Sequence, residues 1–255
     1  MKNLFLFLFV AFFTAALFSN CKNNAAPATE ATTVDSTAMK GAAAEGYWMN
    51  KAWWETLQNT KSPHEASKHL GVAGVTVTQD STGAWTAVVN YAFHEGMVYK
   101  LQAADGGNFT LINAEDNNAV AHQFKFNADK TVWLDTFEMV KIGDAQMDDA
   151  DLAGNIINGT YSLKGKPGDV VFYSNGSVSG LEGYESYDIL FDYIEDQLQA
   201  DEMMLIKPGD GGERDFYVFE TKGNQLLLST IEEKMDKDSV TYYEKGKVKY
   251  ALTKK

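Results

Sequence analysis

The strongest constraint on the fold is a period-two alternation of apolar and polar residues that recurs from about Gly46 to the end of the chain. In the segment WTAVVNYAF, which begins at Trp85, every second residue is apolar, whereas Thr86 and Asn90 occupy the alternate positions. Successive side chains of a β-strand point to opposite faces, so this pattern predicts strands with one buried face. The body of the protein is therefore predicted to be all-β.

Turn-forming residues interrupt this alternation at short intervals and predict hairpins. Five hairpins are expected, with turns at 94–96, 128–130, 175–176, 222–224 and 245–246. Strands joined by such short turns pair in antiparallel fashion. We expect an antiparallel barrel of about ten or more strands.

One short helix is expected near the start of this body. Asn50 is a suitable N-cap, and Trp53 and Leu57 are four residues apart on one helical face. The predicted helix ends at about Thr60, and its aromatic residues are expected to pack against the sheet.

Several short strings occur twice in the body. They predict either one domain spanning 46–255 or two related halves, 46–143 and 155–255; antiparallel strands also produce such matches by chance, so both interpretations stand. The matched strings are GYW at 46 with GTY at 159, VVNY at 88 with VVFY at 170, LI at 111 with LI at 205, FKF at 124 with YVF at 217, and WLDTF at 133 with LLSTI at 227.

A short apolar run at residues 4–18, interrupted only by Thr14, follows Lys2. Fifteen helical residues cover roughly 22 Å, which is less than the ~30 Å of a bilayer core. A basic residue followed by a short apolar run is typical of a secretory signal peptide, which we assign to 1–20. The run ends at Ser19, Asn20 and Cys21, the only cysteine in the chain.

The junction at Cys21 resembles a bacterial lipoprotein signal. This resemblance implies cleavage before Cys21, acyl chains on its thiol and attachment to a membrane of the cell envelope; Lys22 at the next position implies the outer membrane. Residues 21–45 are rich in Ala and Thr, without aromatic residues, and predict a disordered tether, with an Ala-rich helix as the alternative. Ordinary secretion, with cleavage near Ala25 or Ala26, is the other interpretation.

The segment 157–231 resembles the lipocalin-like, or calycin, pattern. INGTYSL, VVFYSNGSVSG, YESYDILFDY, DEMMLI and DFYVFETKGNQLLL follow one another as a Gly-x-aromatic opening strand, successive hairpins and a closing pair. The resemblance implies a β-barrel that holds an apolar small molecule or lipid among inward-facing side chains. The candidate ligand-binding residues are Trp85, Tyr91, Phe93, Phe124 and Phe126.

Charge and motifs narrow the possible functions. The net charge of −13 argues against nucleic acid or an anionic lipid surface as a partner. The four histidines lack the spacing of a metal motif, and no sequence motif of a catalytic nucleophile is present, so we expect no metal, no cofactor and no enzymatic activity. Three hypotheses follow, in order: a membrane-anchored binding module, a structural lipoprotein with a filled barrel that binds an envelope protein or glycan, and a polysaccharide-active enzyme.

Overall fold

The computed structural model describes residues 43–69, 71–91, 93, 95–113, 119–128, 130–193, 198–209, 211–235 and 241–255, without the side chains of Glu95 and Thr241. The predicted signal peptide, Cys21 and residues 22–42 of the predicted tether lie outside the described residues. Ala44, which the sequence assigns to the tether, is fully buried. The folded body therefore begins before Gly46.

The first eight strands form a closed antiparallel barrel, here called the first barrel. Each strand pairs with the next one along the chain, and β1 pairs with β8 to close the barrel. The strands are β1 (Gly46–Asn50), β2 (Val72–Gln79), β3 (Trp85–Tyr91), β4 (Glu95–Ala103), β5 (Phe109–Asn113), β6 (Val120–Phe126), β7 (Val132–Leu134) and β8 (Phe137–Gly143).

The next eight strands form a second antiparallel sheet with the same up-and-down order. Its first and last strands pair, as they do in the first barrel, and a single bridge between Ser177 and Ser186 joins the third strand to the fourth. The strands are β9 (Gly159–Leu163), β10 (Asp169–Phe172), β11 (Val178–Ser179), β12 (Ser186–Ile189), β13 (Glu202–Ile206), β14 (Arg214–Lys222), β15 (Gln225–Met235) and β16 (Thr241–Lys254).

The prediction of antiparallel β-structure with barrel character is confirmed. The expected single barrel of ten or more strands does not form, because the sixteen strands among the described residues are divided between two sheets of eight. Alternation specifies which face of a strand is buried, but it carries no information on which two strands pair to close a barrel.

Within the described residues, three complete α-helices and one short 3-10 helix, Asp105–Gly107, accompany the sheets, where the sequence predicts one helix: α1 (Lys51–Thr60), α2 (Pro63–Ser67) and α3 (Asp149–Ile157). The Asn50 cap of α1 is confirmed, since its side chain accepts hydrogen bonds from two backbone N–H groups of the first turn. Helix α3 lies in an acidic segment, and Asp148 caps it by accepting the N–H of Asp151 at 2.8 Å. None of the helices in the described ranges is long and apolar enough to cross a membrane.

Two hydrophobic cores meet at β1, all five residues of which are buried. Trp48 belongs to the core inside the first barrel. Tyr47 and Met49, which point the other way, belong to a second core. This second core joins one face of the second sheet to α1, α2 and α3.

Most of the repeated strings lie on equivalent strands of the two sheets. GYW and GTY begin the first strands, the LI pairs lie on the fifth, and FKF and YVF on the sixth. LLSTI lies on the seventh strand of the second sheet, whereas WLDTF starts on the seventh strand of the first barrel and continues through the turn into β8. VVNY and VVFY are not equivalent, because they lie on a third and a second strand.

The two opening strands also share a local hydrogen bond. Trp48 Nε1 donates to the carbonyl of Ala44 at 2.8 Å, and the Tyr161 hydroxyl donates to the carbonyl of Ile157 at 2.7 Å. Each donor lies two residues after a glycine with positive φ and four residues after its acceptor. Both sheets therefore begin with the same local hydrogen bond between an aromatic side chain and a backbone carbonyl.

Candidate functional site

Two of the five predicted ligand-binding residues, Trp85 and Phe124, lie in the core of the first barrel, and Phe126 packs against it. Trp85 begins β3 and Phe126 ends β6, and in an up-and-down barrel these positions share one end. The Phe126 ring lies 5.0 Å from Phe124, 5.7 Å from Trp48 and 5.9 Å from Phe109. We call these five residues the aromatic end.

Tyr91 and Phe93 lie elsewhere. Tyr91 ends β3 and is therefore at the opposite end of the barrel from Trp85. Phe93 does not face the barrel interior: it lies in the turn after β3 with φ of 62°, and its ring packs 4.7 Å from Trp53 and 5.9 Å from Phe191 in the second core. The alternation that predicted its orientation ends with the strand at Tyr91.

The indole N–H of Trp85 is a buried donor for which the described part of the chain offers no acceptor. Trp85 is only 8% exposed, and its Nε1 has no acceptor among the residues that the structure describes. A buried polar group left unpaired costs about 1–3 kcal/mol, so such groups call for an explanation. The N–H of Trp48 is paired with a carbonyl, whereas that of Trp53 in the second core also lacks an acceptor among the described residues.

The opposite end of the first barrel carries a chain of polar side chains, here called the polar end. The Tyr91 hydroxyl lies 2.6 Å from His122 Nε2 and 3.1 Å from the Tyr99 hydroxyl. His122 Nδ1 lies 2.6 Å from an oxygen of Asp135, whose other oxygen accepts the N–H of Gln123 at 2.8 Å. The polar end thus links β3, β4, β6 and the turn after β7.

The directions of the hydrogen bonds at the polar end depend on which groups can donate and which can only accept. In the tautomer with its proton on Nδ1, His122 donates to a carboxylate oxygen of Asp135, and its Nε2 accepts from the Tyr91 hydroxyl. Burial, followed by the hydrogen bond with Tyr99, raises the pKa of Tyr91. The Tyr91 side chain is therefore a neutral phenol, which makes hydrogen bonds with His122 and Tyr99 and is a poor nucleophile.

His122 and Asp135 are residues that the sequence analysis missed. Because the histidines lack the spacing of a metal motif, the sequence suggested that His122 is a surface or turn residue. His122 is, however, two residues before Phe124 and four before Phe126, so the period-two alternation places all three side chains on the same face of the strand. Asp135 lies in a turn with φ of 52°, and nothing in the sequence indicates that its carboxylate reaches His122.

The second sheet has a polar cluster at a matching position. The Tyr184 hydroxyl donates to Asp215 at 2.5 Å and lies 3.0 Å from the Tyr217 hydroxyl, to which Lys249 Nζ donates at 2.8 Å. Tyr184 and Asp215 are 31 residues apart, the same separation as Tyr91 and His122. The hydrogen bond from Tyr184 lowers the pKa of Asp215, so this carboxylate stays charged.

Comparison with known proteins identifies no relative: no family model, no curated protein and no solved structure matches the chain.

Proposed function

We propose that the protein is a membrane-anchored lipoprotein of the cell envelope whose first barrel binds an apolar small molecule or lipid. The observation that carries this proposal is the unpaired Trp85 N–H at an end of the barrel lined by aromatic rings. Binding sites of this kind combine apolar walls with few, well-placed polar groups. The ligand that fits is apolar, with one hydrogen-bond acceptor such as a carbonyl or ether oxygen.

Partial exposure at this end supports entry of such a ligand. Phe126 and Ala103 are half-buried and pack against the barrel core, whereas residues deeper in the barrel are fully buried. A ligand at the aromatic end would cover the exposed part of Phe126 and accept the N–H of Trp85. Both changes favour binding, since one removes apolar surface from water and the other satisfies a buried donor.

A lipocalin-like fold and an internal duplication are part of the proposal. We infer that 46–143 and 155–255 are related halves, each derived from an eight-stranded up-and-down barrel. The shared strand order, the opening Gly-x-aromatic strands and the equivalent strand positions of three matched strings support this relationship.

Attachment through Cys21 is the second part of the proposal, and it places the protein at the outer membrane. The substitution Cys21→Ser removes the acyl-bearing thiol, so we expect the variant in the soluble fraction and the wild type in membranes. The measurement is membrane fractionation together with the mass of the N-terminal peptide. A soluble wild type with an unmodified terminus after Ala25 or Ala26 would show ordinary secretion.

Ligand binding is tested with Trp85→Phe, which keeps an aromatic ring and removes the N–H. The parent protein and the Trp85→Phe variant both carry Cys21→Ser, so that detergent is not needed. Each is titrated with Nile red, an apolar dye with a carbonyl acceptor. We expect Trp85→Phe to weaken binding about tenfold, equivalent to ~1.4 kcal/mol. Trp54→Phe, the same change in the second core, is the matched control and should bind as the parent does. Equal binding by all forms contradicts the role of Trp85.

A structural lipoprotein that binds an envelope protein or glycan is the second candidate. The observation that favours it is the complete burial of six side chains in the first barrel, as expected where side chains fill an eight-stranded barrel. These are Val75, Val77, Val89, Leu111, Phe124 and Leu134. Under this candidate, Nile red does not bind, and Trp85→Phe changes only stability.

A further inference from the structure

A cleft of about 490 Å³ lies on the outer wall of the first barrel, separate from the aromatic and polar ends. The start of α1 forms one side, and the hairpin of β7 and β8 forms the other. Its volume is within the range of small-molecule sites. The lining residues are Asn50, Lys51, Ala52, Glu55, His69, Trp133, Thr136, Phe137 and Glu138.

Trp133 is unusual among the tryptophans of this chain. It is half-buried and belongs to neither hydrophobic core, so part of its indole surface lies open in the cleft. Its Nε1 donates to Thr131 Oγ1 at 3.2 Å, which holds the ring in one orientation. Trp48 and Trp85 belong to the first core and Trp53 to the second, and Trp54 packs against the second core.

The polar groups around Trp133 include both donors and acceptors. Lys51 Nζ and Glu138 Oε1 form a 2.8 Å ion pair whose side chains are 37% and 30% exposed. Glu55 and His69 are exposed at the rim. The two carboxylates accept hydrogen bonds, the ammonium donates them, and the imidazole does either.

This combination discriminates among ligand classes. A purely apolar ligand would desolvate the ion pair without replacing its hydrogen bonds, which is unfavourable. A simple anion would be repelled by the carboxylates of Glu55 and Glu138, and a simple cation would be repelled by the ammonium of Lys51. A pyranose ring has an apolar C–H face that can lie on an indole, and hydroxyl groups on its edge that both donate and accept.

We infer that this cleft binds a saccharide, with the sugar ring stacked on Trp133 and its hydroxyls hydrogen-bonded to Glu138, Lys51 and Glu55. The site is independent of the proposed apolar site, because the two share no residue. The saccharide is either a free oligosaccharide or part of the cell wall, and two experiments distinguish these sources.

The first experiment titrates the full-length protein with chitotriose, cellotriose and maltotriose, in a detergent without a sugar headgroup. Tryptophan fluorescence reports on stacking at Trp133. We expect at least one trisaccharide to change the emission with saturation in the millimolar range. Trp133→Ala should weaken this binding at least tenfold, and Trp133→Phe, which keeps a flat ring, should weaken it less when followed by calorimetry.

The second experiment measures sedimentation of the same proteins with purified cell-wall sacculi. Loss of co-sedimentation in Trp133→Ala identifies the cell wall as the source, whereas a Trp133-dependent response to a trisaccharide alone identifies a free sugar. Phe216→Ala, which removes an aromatic ring 51% exposed on the second sheet, is the control and should bind as the wild type does. The melting temperature verifies that each variant is folded.

Two results would overturn the inference. One is the absence of binding to all three trisaccharides up to about 10 mM together with no sedimentation with sacculi. The other is binding that Trp133→Ala leaves unchanged while the variant is folded.

Discussion

At the scale of single residues, Asp201 shows how burial and hydrogen bonding compete at one carboxylate. It accepts the Ser62 hydroxyl at 2.9 Å and the backbone N–H of His64 at 2.8 Å, both on the same oxygen, and so fixes the start of α2. Burial raises its pKa, and these two hydrogen bonds only partly offset that effect. The charged form is therefore less favourable in the folded protein than in the unfolded chain.

The substitution Asp201→Asn keeps an oxygen that can accept both hydrogen bonds and removes the buried charge. Because the folded pKa is raised, the folded state binds the proton more tightly, and wild-type stability from this group falls as pH rises from the ordinary pKa of Asp through the folded pKa. We expect the free energy of unfolding of the variant, relative to wild type, to increase between pH 3 and pH 7. Urea denaturation at both pH values measures it, and a relative decrease would contradict the assignment.

Tyr91 carries a second residue-scale prediction. Tyr91→Phe removes the hydroxyl that links His122 to Tyr99 and leaves His122 Nε2 without this donor. A hydrogen bond of this kind contributes about 1 kcal/mol, and we expect a loss of that size in the free energy of unfolding. The control is Tyr173→Phe, whose exposed hydroxyl lies 3.4 Å from Ser179 and should matter little. Equal effects of the two variants would show that the polar end is not stabilising.

At the scale of secondary-structure elements, the second sheet depends on a tight contact beside β11. Gly180 has φ of 76°, and a Cβ added there would collide with the backbone of Asp169 and Val170 in β10. Gly183 has a similar φ of 89°, but a Cβ there would meet open space. Alanine substitutions at the two positions therefore distinguish the cost of the backbone conformation from the cost of the steric collision.

We expect Gly183→Ala to cost about 1 kcal/mol, the penalty of a left-handed conformation for a residue with a side chain. Gly180→Ala should cost a further 1–3 kcal/mol, because the new methyl group forces β11 away from β10. Denaturant unfolding of both variants measures the difference. Equal losses would mean that β10 and β11 separate without cost at this edge.

Some helices and strands can be predicted from the sequence more readily than others. Asn50 and the residues after it specify α1 through local capping, and alternation from Trp85 to Tyr91 specifies β3 and its buried face. Helix α3 was missed because its segment is acidic and short, although Asp148 is a suitable cap and Leu152 and Ile156 are four residues apart. Local signals are sufficient for an element when its cap and its apolar face are both within one segment.

The candidate sites could be predicted only in part, for a physical reason. Trp85 and Phe126 were identified because alternation determines which side chains enter a barrel. The pairing of His122 with Asp135 depends on the approach of β6 to the turn after β7, a tertiary contact between residues 13 positions apart. Residues outside a strand, such as Phe93, follow the turn and not the alternation.

At the scale of the whole molecule, β1 connects the two cores. Trp48 packs inside the first barrel, whereas Tyr47 and Met49 pack against the helices and the second sheet. A one-residue shift of β1 would exchange these two sets of side chains and disrupt both cores at once. We therefore expect the two sheets to unfold in one transition, a prediction that calorimetry combined with near-ultraviolet circular dichroism can test.

Native mass spectrometry of the protein purified from its own host tests whether the first barrel holds an apolar ligand. We expect a bound mass beyond that of the processed chain, released on denaturation, from an apolar molecule with a hydrogen-bond acceptor. Trp85→Phe from the same host should carry a smaller fraction of this bound mass than wild type, and Trp54→Phe should carry the same fraction. A wild-type mass equal to the processed chain alone would contradict the binding function and favour a filled barrel that serves as a structural lipoprotein.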